Sequence, residues 1–336
     1  MTEETMEHRK KAHIDLAFNS RTAPAQADNR FLYEPLTGHH QPLRETTAMA
    51  GKLMRLPIWI SSMTGGTQQA RVINQNLAQA CAEFGMGMGL GSCRILLDDV
   101  QYMPDFDVRP IIGKEQPLFA NLGICQIEQM IQAQSLQKVD DLLNRLDADG
   151  LIIHVNPLQE AFQIEGDQLQ RPPIETIEAY LAATHHRVIV KEVGQGFGPT
   201  SLKQLLQLPL EAIEFGAFGG TNFTLLELNR TDPDMAEVFS PFSKVGHTAE
   251  EMTHMVNAIV AANNTQIKTK SLIISGGINN VLDGYHLTGI SKMPAIFGMG
   301  SAFLQHARGE YKTLQKYVQG LQKGWTIANQ FLKVRE

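Results

Sequence analysis

The sequence predicts an α/β protein built as a (β/α)8 TIM barrel, with an N-terminal arm over residues 1–55, the barrel over 56–336, and an insertion after the sixth strand. Three observations predict it. Eight short apolar runs alternate with apolar stripes at helical spacing across about 250 residues, which is the length and rhythm of this fold. Nearly every run stops abruptly at small or polar residues, as strands do where they open onto a barrel mouth. The stretch Leu151-Ile-Ile-His-Val-Asn-Pro-Leu-Gln-Glu160 makes the point most sharply, because its apolar run breaks into imidazole, amides and a carboxylate. An open doubly wound sheet also alternates β and α, but the count of eight favours closure.

The elements follow in order. Residues 1–55 read as an irregular polar lead-in, with basic residues at 9–11 and loop formers Pro24, Pro35, Gly38 and Pro42. The first strand is Leu56–Ile60, ending in Ser61-Ser-Met-Thr-Gly-Gly66, and the next helix places Ile73, Leu77, Cys81 and Phe84 near every fourth position. Gly85–Leu90 is the second strand, weakened by its glycines and ending in Gly91-Ser-Cys-Arg94. Leu118–Gly123 is the third. Val139, Leu142, Leu143 and Leu146 mark a helix, Asp149-Gly150 a turn, and Leu151–Val155 the fourth strand. Arg187–Val190 is the fifth and ends in Lys191-Glu-Val-Gly194, with the stripe Leu202, Leu205 and Leu206 behind it. Ala212–Phe215 is the sixth, followed by Gly216-Ala-Phe-Gly-Gly-Thr221 and by an insertion to about 247 that exceeds any short βα loop. Thr248-Ala-Glu-Glu251 is a capping box that opens a helix with Met252, Met255, Val256, Ile259 and Val260 on one face. Leu272–Ile274 runs into Ser275-Gly-Gly-Ile278, and Ala295–Phe297 into Gly298-Met-Gly-Ser301. These are strands seven and eight.

Composition narrows the function. A net charge of −6 argues against general nucleic-acid binding, which calls for a basic field. The three cysteines, Cys81, Cys93 and Cys125, are too few and scattered for a disulfide framework or a thiolate zinc site, which suits a reducing cytoplasm. No apolar run reaches the roughly 18 residues of a bilayer span, and the acidic N-terminus has no hydrophobic signal core. The expectation is a cytoplasmic protein with no membrane or nucleic-acid partner.

The strand ends carry the chemistry. Glycines after strands seven and eight, Gly276, Gly277 and Gly300 with Ser301, leave backbone N–H groups open beside helix starts, where a phosphate dianion is favoured. Singly, each cluster is also an ordinary tight turn. Lys191 ends an apolar strand, so its ammonium calls for an anion or an electron-rich ring, or else for a salt bridge to Glu192 or Glu214. Glu160 suits Mg²⁺, which commonly combines one protein carboxylate with substrate phosphates and waters. Asn156 and Gln159 supply directed hydrogen bonds, and His154 is either a phosphate ligand or a satisfied core residue. Arg9, Lys10, Lys11 and His13 form an anion site if the arm folds over the mouth, and otherwise a solvated charge run.

With these residues in view, the chain resembles the type 2 isopentenyl-diphosphate isomerases, the flavin-dependent form of that enzyme. The resemblance runs from Arg9-Lys-Lys-Ala-His-Ile14 to Phe297-Gly-Met-Gly-Ser-Ala302, through Ser62–Gly66, Gly91–Arg94, Asn121–Gly123, His154–Glu160, Lys191–Gly194, Gly219–Thr221 and Ser275–Gly277. His-x-Asn-x-x-Gln-Glu followed by Lys-Glu-Val-Gly is its specific part; the glycine motifs are common to many FMN barrels. The resemblance implies interconversion of isopentenyl and dimethylallyl diphosphate, with FMN reduced by NADPH or NADH acting as acid and base at its N5, and with Mg²⁺. It implies that Met63, Thr64, Gly65, Ser92, Asn121, Lys191 and Thr221 hold the flavin, and Gly276, Gly277, Gly300 and Ser301 its phosphate. Arg9, Lys10, Ser92, Arg94, His154, Asn156 and Gln159 would hold the substrate, Glu160 the Mg²⁺, and Gln159 and His154 would act in catalysis. A homotetramer or octamer is implied as well.

Two positions depart from the family pattern. Gly216 stands where a serine is frequent, with Phe218 nearby, and Lys11-Ala12 stands where acidic residues are frequent. Two rival readings are an FMN-dependent oxidase or dehydrogenase of small hydroxy acids and a non-catalytic flavin- or isoprenoid-binding regulator. The first needs a histidine base and an arginine at the sixth or seventh strand end, where His247 and His286 do not fall. The second has no use for Gln159, Glu160 and the basic arm together.

Overall fold

The computed structural model describes residues 3–40, 46–62, 68–262 and 266–335. Twelve strands occur among them: β1 (Phe31–Tyr33), β2 (Thr47–Met49), β3 (Lys52–Met54), β4 (Ile58–Ile60), β5 (Gly87–Gly89), β6 (Leu118–Gly123), β7 (Gly150–Val155), β8 (Val188–Glu192), β9 (Ala212–Glu214), β10 (Ser271–Ser275), β11 (Ala295–Met299) and β12 (Leu332–Val334). Strands β4 to β11 close into a parallel barrel in sequence order, with β10 pairing β9 and β11 pairing β4. This is the predicted (β/α)8 barrel.

Two cores account for closure. Inside the barrel, Trp59, Phe119, Ile152, Ile189, Ala212, Ile273 and Ile296 pack in layers. Outside it, the opposite strand faces meet the predicted helical stripes. Ile73, Leu77, Cys81 and Phe84 are buried on the helix Gln68–Phe84, as are Val139, Leu142, Leu143 and Leu146 on Gln137–Leu146. The capping box at Thr248 forms as predicted, its hydroxyl accepting from the Glu251 N–H while the Glu251 carboxylate accepts from Thr248. No helix among the described residues is long and apolar enough to cross a membrane.

The lead-in is not irregular, and here the sequence reading is corrected. Residues Glu3–Ala17 form a helix, and β1 pairs antiparallel with β12 at the opposite end of the chain. Strands β2 and β3 form a hairpin whose Met49, Ala50 and Met54 plug the bottom of the barrel interior. Its two-residue turn takes Ala50 (φ 54°) and Gly51 (φ 77°) into the left-handed region, as a type I′ turn requires. Glu211 steadies that turn by accepting the Ala50 N–H at 2.9 Å. Asp149 does more than turn the chain, since it receives Lys52 Nζ at 2.6 Å and Arg109 Nη2 at 2.9 Å. Burial works against its charge, yet these bonds and the Leu118 N–H hold its carboxyl below the ordinary range. The second strand is shorter than expected, because only Gly87–Gly89 joins the ladder. The insertion folds into the helices Phe223–Leu228 and Pro233–Phe239 and the 3₁₀ turn Ser240–Lys244.

Candidate active site

The C-terminal strand ends surround a cavity of about 360 Å³. Lys191, Thr221, Gly276, Gly277, Gly300 and Ser301 line it together, so six predicted cofactor residues converge on one place. Gly276 adopts φ +92°, and a Cβ there would lie 2.1 Å from the Ala217 carbonyl oxygen. The cradle between the β9, β10 and β11 ends therefore exists only because that residue lacks a side chain. Met63, Thr64 and Gly65 lie outside the described residues.

The barrel ladder sets a row of ionisable groups across the site, with His154 opposite Lys191 and Lys191 opposite Glu214. Lys191 Nζ donates to the Glu192 backbone carbonyl at 2.7 Å rather than forming an ion pair with either nearby glutamate. Glu192 instead turns outward and binds the loop that follows. Its Oε2 accepts from the N–H groups of Gly194, Gln195 and Gly196 at 2.7, 2.6 and 2.7 Å.

His154 Nδ1 lies 2.8 Å from Asn121 Oδ1. Asn121 Nδ2 donates to the Leu90 carbonyl, which orients the amide and assigns the Nδ1 proton to His154. Burial, and second the charge of Lys191, push the imidazole down to about 3. His154 is thus neutral at pH 7, with Nε2 free to accept.

The helix Pro157–Phe162 carries the next group. Asn156 Nδ2 donates to Gln159 Oε1 at 3.1 Å and to Glu160 Oε1 at 3.0 Å, leaving Asn156 Oδ1 buried and without a partner. Glu160 Oε2 accepts the Asp167 N–H at 2.9 Å. Arg94 is exposed at the rim and pairs with Asp167 at 2.9 Å; Ser92 is also exposed beside it. Among the described residues no cluster of three or more His, Cys, Asp or Glu side chains forms a metal site, so Glu160 stands as a single carboxylate.

Arg9 and Lys10 sit exposed on the N-terminal helix, and among the described residues neither has a hydrogen bond or ion pair to the barrel. His247 lines a neighbouring, mostly apolar cavity between the β7 and β8 loops rather than the site itself.

One participant went unread in the sequence. Glu227, buried in the insertion, accepts from Gln159 Nε2 at 3.1 Å and pairs with Arg230 at 2.8 Å. Phe162 packs on Phe239 and Phe242 with ring centroids 5.1 and 5.5 Å apart, which joins the same two segments. The only signal for this was the insertion's unexplained length.

No family model matches the sequence. Among curated proteins, the isopentenyl-diphosphate delta-isomerase of Rickettsia typhi is 33% identical over 308 residues, covering 89% of this chain and 85% of its own. That of Synechococcus sp. is 35% identical over 279 residues, covering 83% and 76%. Among solved structures, a flavocytochrome b2 variant with sulfite bound superposes with a TM-score of 0.60 at 12% identity, covering 89% of this chain and 71% of that one. A mandelate oxidase variant with an FMN adduct gives 0.57 at 12% identity, covering 91% and 88%. At such identity the structural likeness speaks for the fold alone.

Proposed function

Because the chain belongs to the isopentenyl-diphosphate delta-isomerase family, we propose that it interconverts isopentenyl and dimethylallyl diphosphate at this mouth with reduced FMN and Mg²⁺. The observation that carries the reading is that two halves occupy the same, C-terminal end of the barrel. A glycine cradle lies at the β10 and β11 ends and an Asn156–Gln159–Glu160–Glu227 hydrogen-bond network at the β7 end, with Lys191 on β8 between them.

FMN fits the first half. The cradle at Gly276, Gly277, Gly300 and Ser301 suits its phosphate, Thr221 lines the same cavity, and Lys191 supplies positive charge without a carboxylate partner. Asn121, outside that lining and bonded to Leu90 and His154, would hold the flavin from the β6 side. When bound and reduced, FMN supplies an acid–base group and an electron-rich ring that the side chains here lack. The protein's own work is orientation and charge. Arg94, Ser92, His154 and Asn156 bind the diphosphate, while Gln159, tethered by Glu227, positions the alkene or relays a proton. Glu160 fits Mg²⁺ in the manner of a single carboxylate completed by phosphates and water, with Asn156 Oδ1 an unused acceptor beside it.

The same reading takes NADPH or NADH as reductant, a homotetrameric or octameric assembly and a cytoplasmic location. It assigns residues 1–55 a part in substrate binding, for which Arg9 and Lys10 would have to fold over a mouth. An anaerobic assay tests it, with FMN, Mg²⁺ and excess NADPH, following isopentenyl diphosphate by NMR in D₂O. Conversion to dimethylallyl diphosphate with deuterium incorporation, absent without reductant, is the expected result. No conversion despite bound, reducible FMN would overturn it.

A further inference from the structure

Beneath the cavity floor lies a group that the reading above does not use. Glu214 is fully buried in the barrel interior, yet it lines the cavity. Among the described residues its Oε2 has no hydrogen-bond partner, and neither does the Trp59 indole N–H or the Ser61 hydroxyl, although both are close enough to bear on its carboxyl. On the other side, the Gly216 N–H donates to Ser275 Oγ at 3.0 Å, and that hydroxyl points to Glu214 Oε1 at 3.5 Å. Along the ladder the charged group facing it is Lys191 on β8, whose ammonium is engaged by the Glu192 carbonyl; His154 lies one strand further and is neutral.

An ionised carboxylate enclosed in this way would need close donors or a cation in contact. Among the described residues Glu214 has one donor, the Ser275 hydroxyl at the long distance of 3.5 Å, and no cation in contact, while its Oε2 is unpartnered. Burial raises its carboxyl above the ordinary range, and the charge of Lys191 and the nearby Ser61, Trp59 and Ser275 donors, which act the other way, do not reverse this. We propose that Glu214 is a resident neutral carboxylic acid under the cofactor pocket, a positioning residue whose proton leaves Lys191's charge uncompensated for an anionic ring and gives the floor a hydrogen-bond donor. The functional part of this rests on the flavin reading above; the state of the carboxyl does not. In an apolar enclosure a protonated acid is a competent donor at neutral pH, and a neighbouring lysine then keeps its full attraction for a ligand anion.

The test is made on the full-length protein without added cofactor. Infrared difference spectra of wild type against Glu214→Gln, from pH 6 to 8, are expected to show loss of one protonated-carboxyl carbonyl band that does not titrate. Loss of a carboxylate band instead would overturn the proposal. Should the variant fold poorly, wild type with ¹³C-labelled glutamate side chains answers the same question by NMR. One carboxyl resonance is expected to stay at the protonated position across that pH range, and its absence overturns the proposal. A second arm adds FMN: Lys191→Gln should weaken FMN binding by at least roughly tenfold, as loss of a charge-assisted contact does. Unchanged FMN binding would remove the charge argument. The cofactor-free spectra stay readable if FMN does not bind or no isomerisation occurs, so failure of the flavin reading is distinguishable from failure of this one.

Discussion

Gln159 and Glu227, 68 residues apart in sequence, are joined by a 3.1 Å hydrogen bond from the Gln159 amide to the Glu227 carboxylate. The bond ties the helix after β7 to the insertion after β9, and Asn156 holds the other end of the Gln159 amide. The side chain is therefore fixed at both its oxygen and its nitrogen, a condition for precise placement of a reacting group.

If that placement is what Glu227 contributes, Glu227→Ala should lower kcat by roughly 10- to 100-fold, the scale of a small misplacement. KM for isopentenyl diphosphate should change little, because the lost interaction matters in the transition state. Glu227→Gln keeps an oxygen acceptor for Gln159 and should recover most of the loss. Steady-state kinetics of the two variants decide it, since equal damage from Gln would assign the effect to charge rather than position.

Neutral His154 has a consequence for stability. Its imidazole lies at about 3 in the folded protein against an ordinary value of 6.5. Between these values the unfolded state binds more protons, so stability falls as pH drops through this window and is fully present above it. Replacing His154 with Gln should flatten that slope, measured as urea midpoints at pH 7, 6 and 5. Glu192 and Glu214, whose carboxyls are raised by burial, act in the opposite direction over part of this range. Comparing variant with wild type at each pH removes their contribution. An unaltered slope would mean that His154 is protonated in the native state.

Glu160 offers a test of metal use. Glu160→Gln keeps an oxygen for the Asn156 or Asp167 donor and so should leave the helix Pro157–Phe162 in place. The Mg²⁺ concentration for half-maximal activity should rise by at least roughly tenfold. Titration of activity with Mg²⁺ after chelator treatment reads it out. An unchanged Mg²⁺ dependence would move the metal elsewhere.

The barrel was legible because its strands are apolar on both faces and its helices carry regular stripes; Leu151–Val155 and Val139–Leu146 need no tertiary context to be read. The lead-in was not. An Ala50-Gly51 turn is a poor hairpin signal, because alanine is rarely asked to adopt a left-handed backbone. The pairing of Phe31–Tyr33 with Leu332–Val334 joins opposite ends of the chain, beyond any local pattern. In the site, Lys191, Gly276 and Ser301 were readable because strand ends converge by construction. Glu227 was not, since a glutamate in an insertion announces nothing until the fold returns it to Gln159.

Gly216 allows a prediction that runs against the family pattern. A serine there looks like the restoration of a missing polar contact, but the local backbone forbids it. Gly216 has φ +52°, and a Cβ would stand 1.9 Å from the Glu192 carbonyl oxygen, the same oxygen that accepts Lys191 Nζ. Backbone strain and the clash together should cost about 2–4 kcal/mol. Gly216→Ser and Gly216→Ala should be destabilised alike in urea unfolding, because the Cβ rather than the hydroxyl does the damage. Moving the Glu192 carbonyl also releases Lys191, so FMN affinity should fall in both. A Gly216→Ser protein that is as stable as wild type and binds FMN more tightly would show that the β8–β9 junction yields readily, and that the glycine is a replaceable departure rather than a requirement of this chain's own Lys191 geometry.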